Sequence, residues 1–148
     1  MPYFAAFVLT AVLAFVAFML WRTNRAFRRA EFIRTYNWPP QLLDKLTVKY
    51  PHFTRKETSL VSKGLRQFFM AYLKGGLKPV SMPSEVVDEL WHEFILYTRS
   101  YKEFCDGAFG SFLHHSPAVM LSPDLRASNK GLRRVWWQCC REENIDPV

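Results

Sequence analysis

The stretch Thr54–Gly76, TRKETSLVSKGLRQFFMAYLKGG, decides the fold class because it combines helix-end signals with a helical repeat of apolar residues. Thr54 followed by Glu57 has the spacing of a capping box, in which each side chain accepts a hydrogen bond from the other residue's backbone. Apolar residues then recur at helical intervals: Leu60, Val61, Leu65, Phe68, Phe69 and Tyr72. Gly75 and Gly76 end the pattern. The stretch therefore predicts an amphipathic helix that packs in a core.

The segments on either side of this helix also have helical spacing. Leu42, Leu43 and Leu46 predict a short helix that ends before Pro51, and another helix is expected to begin near Pro83. A last helix is expected from about Ser128 to Glu143, with one apolar face formed by Leu132, Val135, Trp136, Cys139 and Cys140. Since alternating strand patterns bounded by hairpin turns are missing, the fold class is predicted to be all-α.

An apolar segment precedes the domain. Tyr3–Trp21, YFAAFVLTAVLAFVAFMLW, has Thr10 as its only clearly polar residue, and as a helix it spans roughly 28 Å, close to the hydrocarbon thickness of a bilayer. A cleaved secretion signal normally has basic residues before its apolar run, whereas here the arginines follow it. Residues 1–21 are therefore predicted to be a retained transmembrane helix, followed by a small domain of about four to five helices.

The arginines after the apolar segment predict its orientation. Arg22, Arg25, Arg28 and Arg29 follow Trp21 within eight residues, and basic residues next to a span stay on the cytoplasmic side. We expect a single-pass protein of the inner (cytoplasmic) membrane with its N-terminus outside, a basic juxtamembrane linker at 22–38 and a cytoplasmic domain at 39–148. The arginines would contact the anionic head groups of the lipid bilayer.

Composition excludes several classes of protein. The formal charge of the chain is +7, but residues 22–34 hold five arginines against one glutamate, so most of the excess lies outside the predicted domain. This distribution argues against nucleic-acid binding. Three cysteines, with an adjacent pair at Cys139 and Cys140 and no CxxC spacing, argue against a disulfide framework or a zinc ribbon.

Two short motifs contain the chemically interesting residues, VDELWH at Val87–His92 and FGSFLHHSP at Phe109–Pro117. Asp88 and His92 are one helical turn apart, and the chain from Gly107 onward is long enough to return His114 or His115 beside them. Asp88, His92 and His115 could then bind zinc or another divalent metal. The preferred alternative is structural: Asp88 orients His92 to cap the returning loop, with Trp91 beneath. On that interpretation no cofactor is expected.

The segment Val87–Pro117 resembles the glycine-rich domain-containing protein-like family, in particular its short bacterial, membrane-anchored members. The matching residues are Asp88, Trp91, His92, Tyr101, Cys105, Gly110 and His115. Phe94 replaces a second histidine found in many members, and the resemblance implies no particular activity. From periodicity alone, an unbroken helix to Asp106 would place Cys105 on the buried face, about 20 Å along the axis from His92.

No catalytic residue set is recognisable, because the chain has no GxSxG motif, no glycine-rich phosphate loop and no cysteine in an evident electropositive setting. We therefore expect a non-enzymatic module that mediates protein interaction or assembly at the cytoplasmic membrane face, with an unidentified membrane or cytoplasmic protein as partner. One alternative is a metal-dependent enzyme using Asp88, His92 and His115, with Tyr101 as proton donor. Another is an accessory subunit of a membrane complex, in contact through Thr10, Ala14 and Ala17.

Overall fold

The computed structural model describes residues 2–115 and 129–147, and over these residues the chain is helical with no strand. The helices are α1 (Pro2–Thr35), α2 (Leu42–Lys49), α3 (Arg55–Lys74), α4 (Glu85–Leu96), α5 (Thr98–Ala108) and α6 (Lys130–Glu142). The predicted all-α class is confirmed, with one long apolar helix at the N-terminus followed by a helical domain.

Helix α3 is the centre of the domain and packs against α1, α2, α4 and α6. Its N-terminus has the predicted capping box: the Thr54 hydroxyl accepts a hydrogen bond from the Glu57 amide (3.3 Å), and the Glu57 carboxylate accepts one from the Thr54 amide (2.7 Å). The Thr54 amide also lowers the pKa of Glu57, since it stabilises the charged form. The inner face of α3 buries Leu65, Phe68 and Phe69, as its periodicity predicts.

Helix α1 is long and apolar enough over its first two thirds to cross a membrane, a property that a signal sequence near an N-terminus shares. The helix continues without a break to Thr35, so most of the segment expected to be a juxtamembrane linker is helical. Its last two turns belong to the domain: Ala30 and Ile33 are buried in the core, and the Phe32 ring lies 6.0 Å from that of Phe104.

This packing predicts that the domain needs the end of α1. A chain that begins at residue 39 loses the fully buried Ile33 side chain, and Arg66 loses its two acceptors, the carbonyl oxygens of Ile33 (2.8 Å) and Tyr36 (2.6 Å). We expect it to be at least about 3 kcal/mol less stable than a chain that begins at residue 22. Thermal melting followed by circular dichroism measures the difference. Equal melting temperatures would show that the domain starts after α1.

The condition of an unbroken helix to Asp106, used above to place Cys105, is not met. Tyr97 leaves the helical region (φ −79°, ψ 60°), so α4 ends at Leu96 and α5 begins at Thr98. The Tyr97 amide donates to the Phe94 carbonyl at 3.0 Å, and the Tyr97 carbonyl accepts from the Tyr101 amide at 2.8 Å, so the backbone groups at the break are satisfied. Cys105 is nevertheless fully buried, as expected.

Helix α6 buries part of the predicted apolar face. Val135, Gln138 and Cys140 are buried, and Cys139 is half-buried, but Trp136 is 61 % exposed. Trp136 and Leu132, which the apolar pattern also includes, lie at the exposed edge of that face. The predicted start at Ser128 lies outside the described residues.

Candidate functional site

Helix α4 places Asp88 and His92 on one side, one turn apart. Ser84 caps the helix, with its hydroxyl accepting from the Val87 amide at 3.4 Å. His92 Nδ1 lies 3.6 Å from Asp88 Oδ2, which is beyond a normal hydrogen bond. Trp91, between them in sequence, is buried and packs on Phe68. The helix period therefore separates a buried aromatic face from the polar face that Asp88 and His92 share.

The loop after α5 brings His115 to this polar face. Gly110 turns the chain with φ +73°, a conformation that favours glycine, and lies beside the Arg29 guanidinium. The Tyr101 hydroxyl then donates to the Leu113 carbonyl at 2.6 Å. Two residues later, His115 Nε2 lies 3.0 Å from Asp88 Oδ1, and its ring packs on Trp91 with the centroids 4.4 Å apart.

Asp88, His92 and His115 thus form one cluster, whose possible ligand atoms all lie within 4.8 Å of one another. The donor atoms of a tetrahedral zinc site with bonds of about 2.0 to 2.1 Å are about 3.3 Å apart. Asp88 is only partly buried and His92 is 50 % exposed, so both side chains have room to rotate toward that spacing. Three protein ligands leave a fourth position for water or another molecule.

The cluster lines one wall of a groove with a volume of about 670 Å³. The other lining residues include apolar side chains from the end of α3, the segment before α4 and the loop after α5, namely Tyr72, Leu77, Val80, Met82 and Phe112. A mostly apolar concavity with a few convergent polar groups is the usual form of a small-molecule site. The open position of the cluster and the groove are therefore adjacent.

Tyr101 and Cys105 are not part of this cluster. The Tyr101 hydroxyl contacts Leu113 and accepts from Trp91 Nε1 at 3.1 Å, and burial raises its pKa far above the usual range. Tyr101 therefore holds the loop in place and is not positioned as the proton donor suggested above. Burial likewise raises the pKa of the Cys105 thiol, which suits a packed side chain more than a nucleophile.

His114 lies outside the cluster even though it adjoins His115. Its side chain is exposed and its ring is 4.8 Å from that of Phe112. Since neighbouring residues in an extended segment point in opposite directions, only one of the two histidines can face Asp88. The sequence offered His114 or His115 for the return to α4, and the structure places His115 beside Asp88. The sequence did not predict the groove wall at 77–84, because Pro79 and Pro83 are its only residues with a clear structural preference.

The Tyr101 hydrogen bonds predict a measurable stability loss. Tyr101→Phe leaves the buried Trp91 indole N–H and the Leu113 carbonyl without their partner, so the free energy of unfolding should fall by about 1 to 3 kcal/mol. Denaturant unfolding of the full chain in detergent measures this. Tyr97→Phe is the control, because the Tyr97 hydroxyl has no hydrogen bond within residues 2–115 and 129–147. A similar change in both variants would contradict the assigned role.

A family comparison covers most of the chain. Residues 28–148 match the UCP032817-like family, and the match begins just before the buried turns of α1. No curated protein and no solved structure matches. The resemblance to the glycine-rich domain-containing protein-like family is wrong: it rested on 31 residues, of which Trp91, Tyr101, Cys105 and Gly110 have packing roles in this fold. By the match over residues 28–148, the chain belongs to the UCP032817-like family.

Proposed function

We propose that this protein is a membrane-anchored helical domain that binds a divalent metal ion, with zinc the best fit, through Asp88, His92 and His115. The observation that carries the proposal is the convergence of these three side chains, from α4 and from the distant loop after α5, within 4.8 Å. Imidazole nitrogen and carboxylate oxygen are ligands that zinc accepts in catalytic and other open sites.

The position of His92 favours metal binding over a purely structural role. The hydrogen bond between Asp88 and His115 is sufficient to fix the loop on α4, and His115 is 14 % exposed. His92 adds no hydrogen bond at 3.6 Å and buries half of its side chain at most. Its contact with the loop is a ring contact with His115, with the centroids 4.2 Å apart, and not a hydrogen bond. A third ligand to an ion, by contrast, can remain at the rim of the groove.

The adjoining groove supports a role for the metal in binding a small ligand. A three-ligand ion keeps one position for a water molecule or for a donor atom of a bound compound. The groove could hold the apolar remainder of such a compound against Leu77, Val80 and Met82. The proposed activity is therefore the binding of a small ligand through its metal-coordinating group.

The composition and exposure of α1 support membrane anchoring. Its large apolar side chains from Tyr3 to Trp21 are exposed and do not pack on the domain, so they need another apolar environment. The arginines that follow favour the cytoplasmic side, and we propose the inner membrane with the N-terminus outside. Thr10 donates to carbonyl oxygens of its own helix at 2.8 and 3.1 Å. A helix contact through Thr10, Ala14 and Ala17 therefore gains no support from an unsatisfied hydroxyl.

Zinc-dependent stabilisation tests the metal proposal. Binding to the folded state alone raises the free energy of unfolding by about 2.7 kcal/mol when zinc is at 100 times its dissociation constant. We expect the full chain in detergent to melt at a higher temperature with zinc than with magnesium. The His92→Ala variant should lose this increase, whereas His114→Ala should keep it. An equal response to zinc in all three proteins would contradict the proposal.

Protein interaction is a second candidate, supported by one surface. Trp136, Trp137, Leu132 and Ile145 are large apolar side chains left exposed on or just after α6, and Arg141 stacks on Trp137 at 4.6 Å. Exposed tryptophan beside arginine is typical of interaction surfaces. Photo-crosslinking from position 136 in cells tests this candidate. A reproducible protein adduct would support it. The control is Val48→Ala, which shortens an exposed apolar side chain on α2 and should leave the adduct unchanged. The absence of any adduct would count against this candidate.

A further inference from the structure

The direction of each helix relative to α1 shows which end of the domain lies nearest the apolar segment of α1. The Tyr36 hydroxyl donates to the Ser100 carbonyl (3.2 Å), Phe32 packs on Phe104, and Arg29 lies beside Gly110. Residue numbers on α1 thus fall as those on α5 rise, so the two helices are antiparallel. The apolar segment is the N-terminal part of α1, so α1 runs from that segment into the domain. The antiparallel helix α5 runs back toward the segment, and Gly110, just after α5, lies at the end of the domain nearest to it.

Two other elements meet at the same end. The Tyr72 ring, in the last turn of α3, packs on Phe109 at 4.9 Å. Arg134, in the first turns of α6, lies against Gly75 and donates to the Pro79 carbonyl. The C-terminal end of α3, the segment that follows it and the N-terminal end of α6 therefore lie beside Gly110.

This end of the domain is basic. Lys78, Lys130 and Arg133 are exposed there, and none of them forms an ion pair with another residue of the described ranges. Lys74, one turn earlier, is paired with Glu142 and therefore contributes less. The arginines that follow Trp21 on α1 lie on the same side. A group of exposed cations on the side of the apolar segment is complementary to anionic lipid head groups.

We infer that the basic end, defined by Lys78, Lys130 and Arg133, docks on the anionic leaflet, so that the domain rests on the membrane surface instead of standing away from it on α1. The inference depends on the proposal that α1 spans the membrane. It also fixes the position of the groove, because the segment that carries Lys78 continues into the groove wall at Leu77 and Val80.

Hydrogen exchange of the full chain in nanodiscs tests the inference. In discs that contain phosphatidylglycerol, backbone amides at 75–82 and at 130–134 should exchange at least about tenfold more slowly than in discs of phosphatidylcholine alone. The triple variant Lys78→Gln/Lys130→Gln/Arg133→Gln should lose the difference. The matched control is Lys45→Gln/Arg55→Gln/Lys56→Gln, which removes three exposed charges from α2 and the start of α3.

The outcomes separate docking from anchoring. Lipid-dependent protection that the basic-end variant loses and the control keeps would support docking. Equal exchange in the two kinds of disc would overturn it, even though α1 remained inserted. Extraction of the chain from vesicles by alkaline carbonate would show that α1 does not span the bilayer, and would overturn the anchoring proposal together with the inference that depends on it.

Discussion

Replacement of Phe104 by alanine is expected to lower the free energy of unfolding by about 3 to 5 kcal/mol, enough to unfold much of a marginally stable domain. Phe104 is fully buried. Its ring lies 4.7 Å from that of Phe69, 4.8 Å from Tyr36 and 5.5 Å from Phe94. It therefore joins α5 to α3, to α4 and to the chain just after α1. A cavity at this position would loosen all of these contacts, because no neighbouring side chain can fill it without leaving a second cavity at its own position.

Chemical denaturation of the full chain in detergent measures this loss. Phe27→Ala removes the same side chain from an exposed position on α1, and it should change the stability by less than about 1 kcal/mol. If Phe104→Ala were no less stable than Phe27→Ala, the arrangement of helices around Phe104 would be wrong.

His92→Ala is expected to weaken zinc binding by at least about 100-fold while changing stability by less than about 1 kcal/mol. The two effects separate because His92 is half exposed and makes no short hydrogen bond, so the folded chain loses little when it is removed. His115→Ala should lower both quantities, since His115 bonds Asp88 at 3.0 Å and packs on Trp91. Competition with a chromogenic zinc chelator measures affinity, and thermal melting without metal measures stability.

The control for both histidine variants is His114→Ala, which removes an exposed imidazole from the position next to His115. Zinc affinity close to that of the unchanged protein is expected. The opposite pattern would identify His92 as a structural residue. In that case His92→Ala would melt much earlier, and zinc affinity would be weak in every protein including the unchanged one.

Local sequence signals predicted the helices that have clear ends. Thr54, Glu57, Gly75 and the apolar repeat between them are sufficient to place α3, and the four-residue spacing of Asp88 and His92 is sufficient to place them on one face of α4. These properties depend on the helix period and on backbone groups a few residues away. The placement of His115 and not His114 beside Asp88 depends on the fold of the loop after α5, which sequence spacing does not reveal.

The errors have a common physical origin in tertiary packing. The break at Tyr97 has no glycine or proline to mark it, and Phe94 and Phe104 on its two sides pack on each other at 5.5 Å because the chain turns there. On α6, the apolar pattern includes Trp136, but the face that meets α3 is the one that carries Val135 and Gln138. The end of α1 is basic in sequence, yet Ala30 and Ile33 are buried in the core.

The most direct test of the central claim is the metal content of the full chain, purified in detergent without chelators or affinity histidines and measured by mass spectrometry beside His115→Ala and His114→Ala. We predict close to one zinc per chain in the unchanged protein and in His114→Ala, and almost none in His115→Ala. Folded protein that carries no zinc and takes up none on addition would contradict the claim, and would leave Asp88 and His115 as a hydrogen-bonded pair that only fastens the loop to α4.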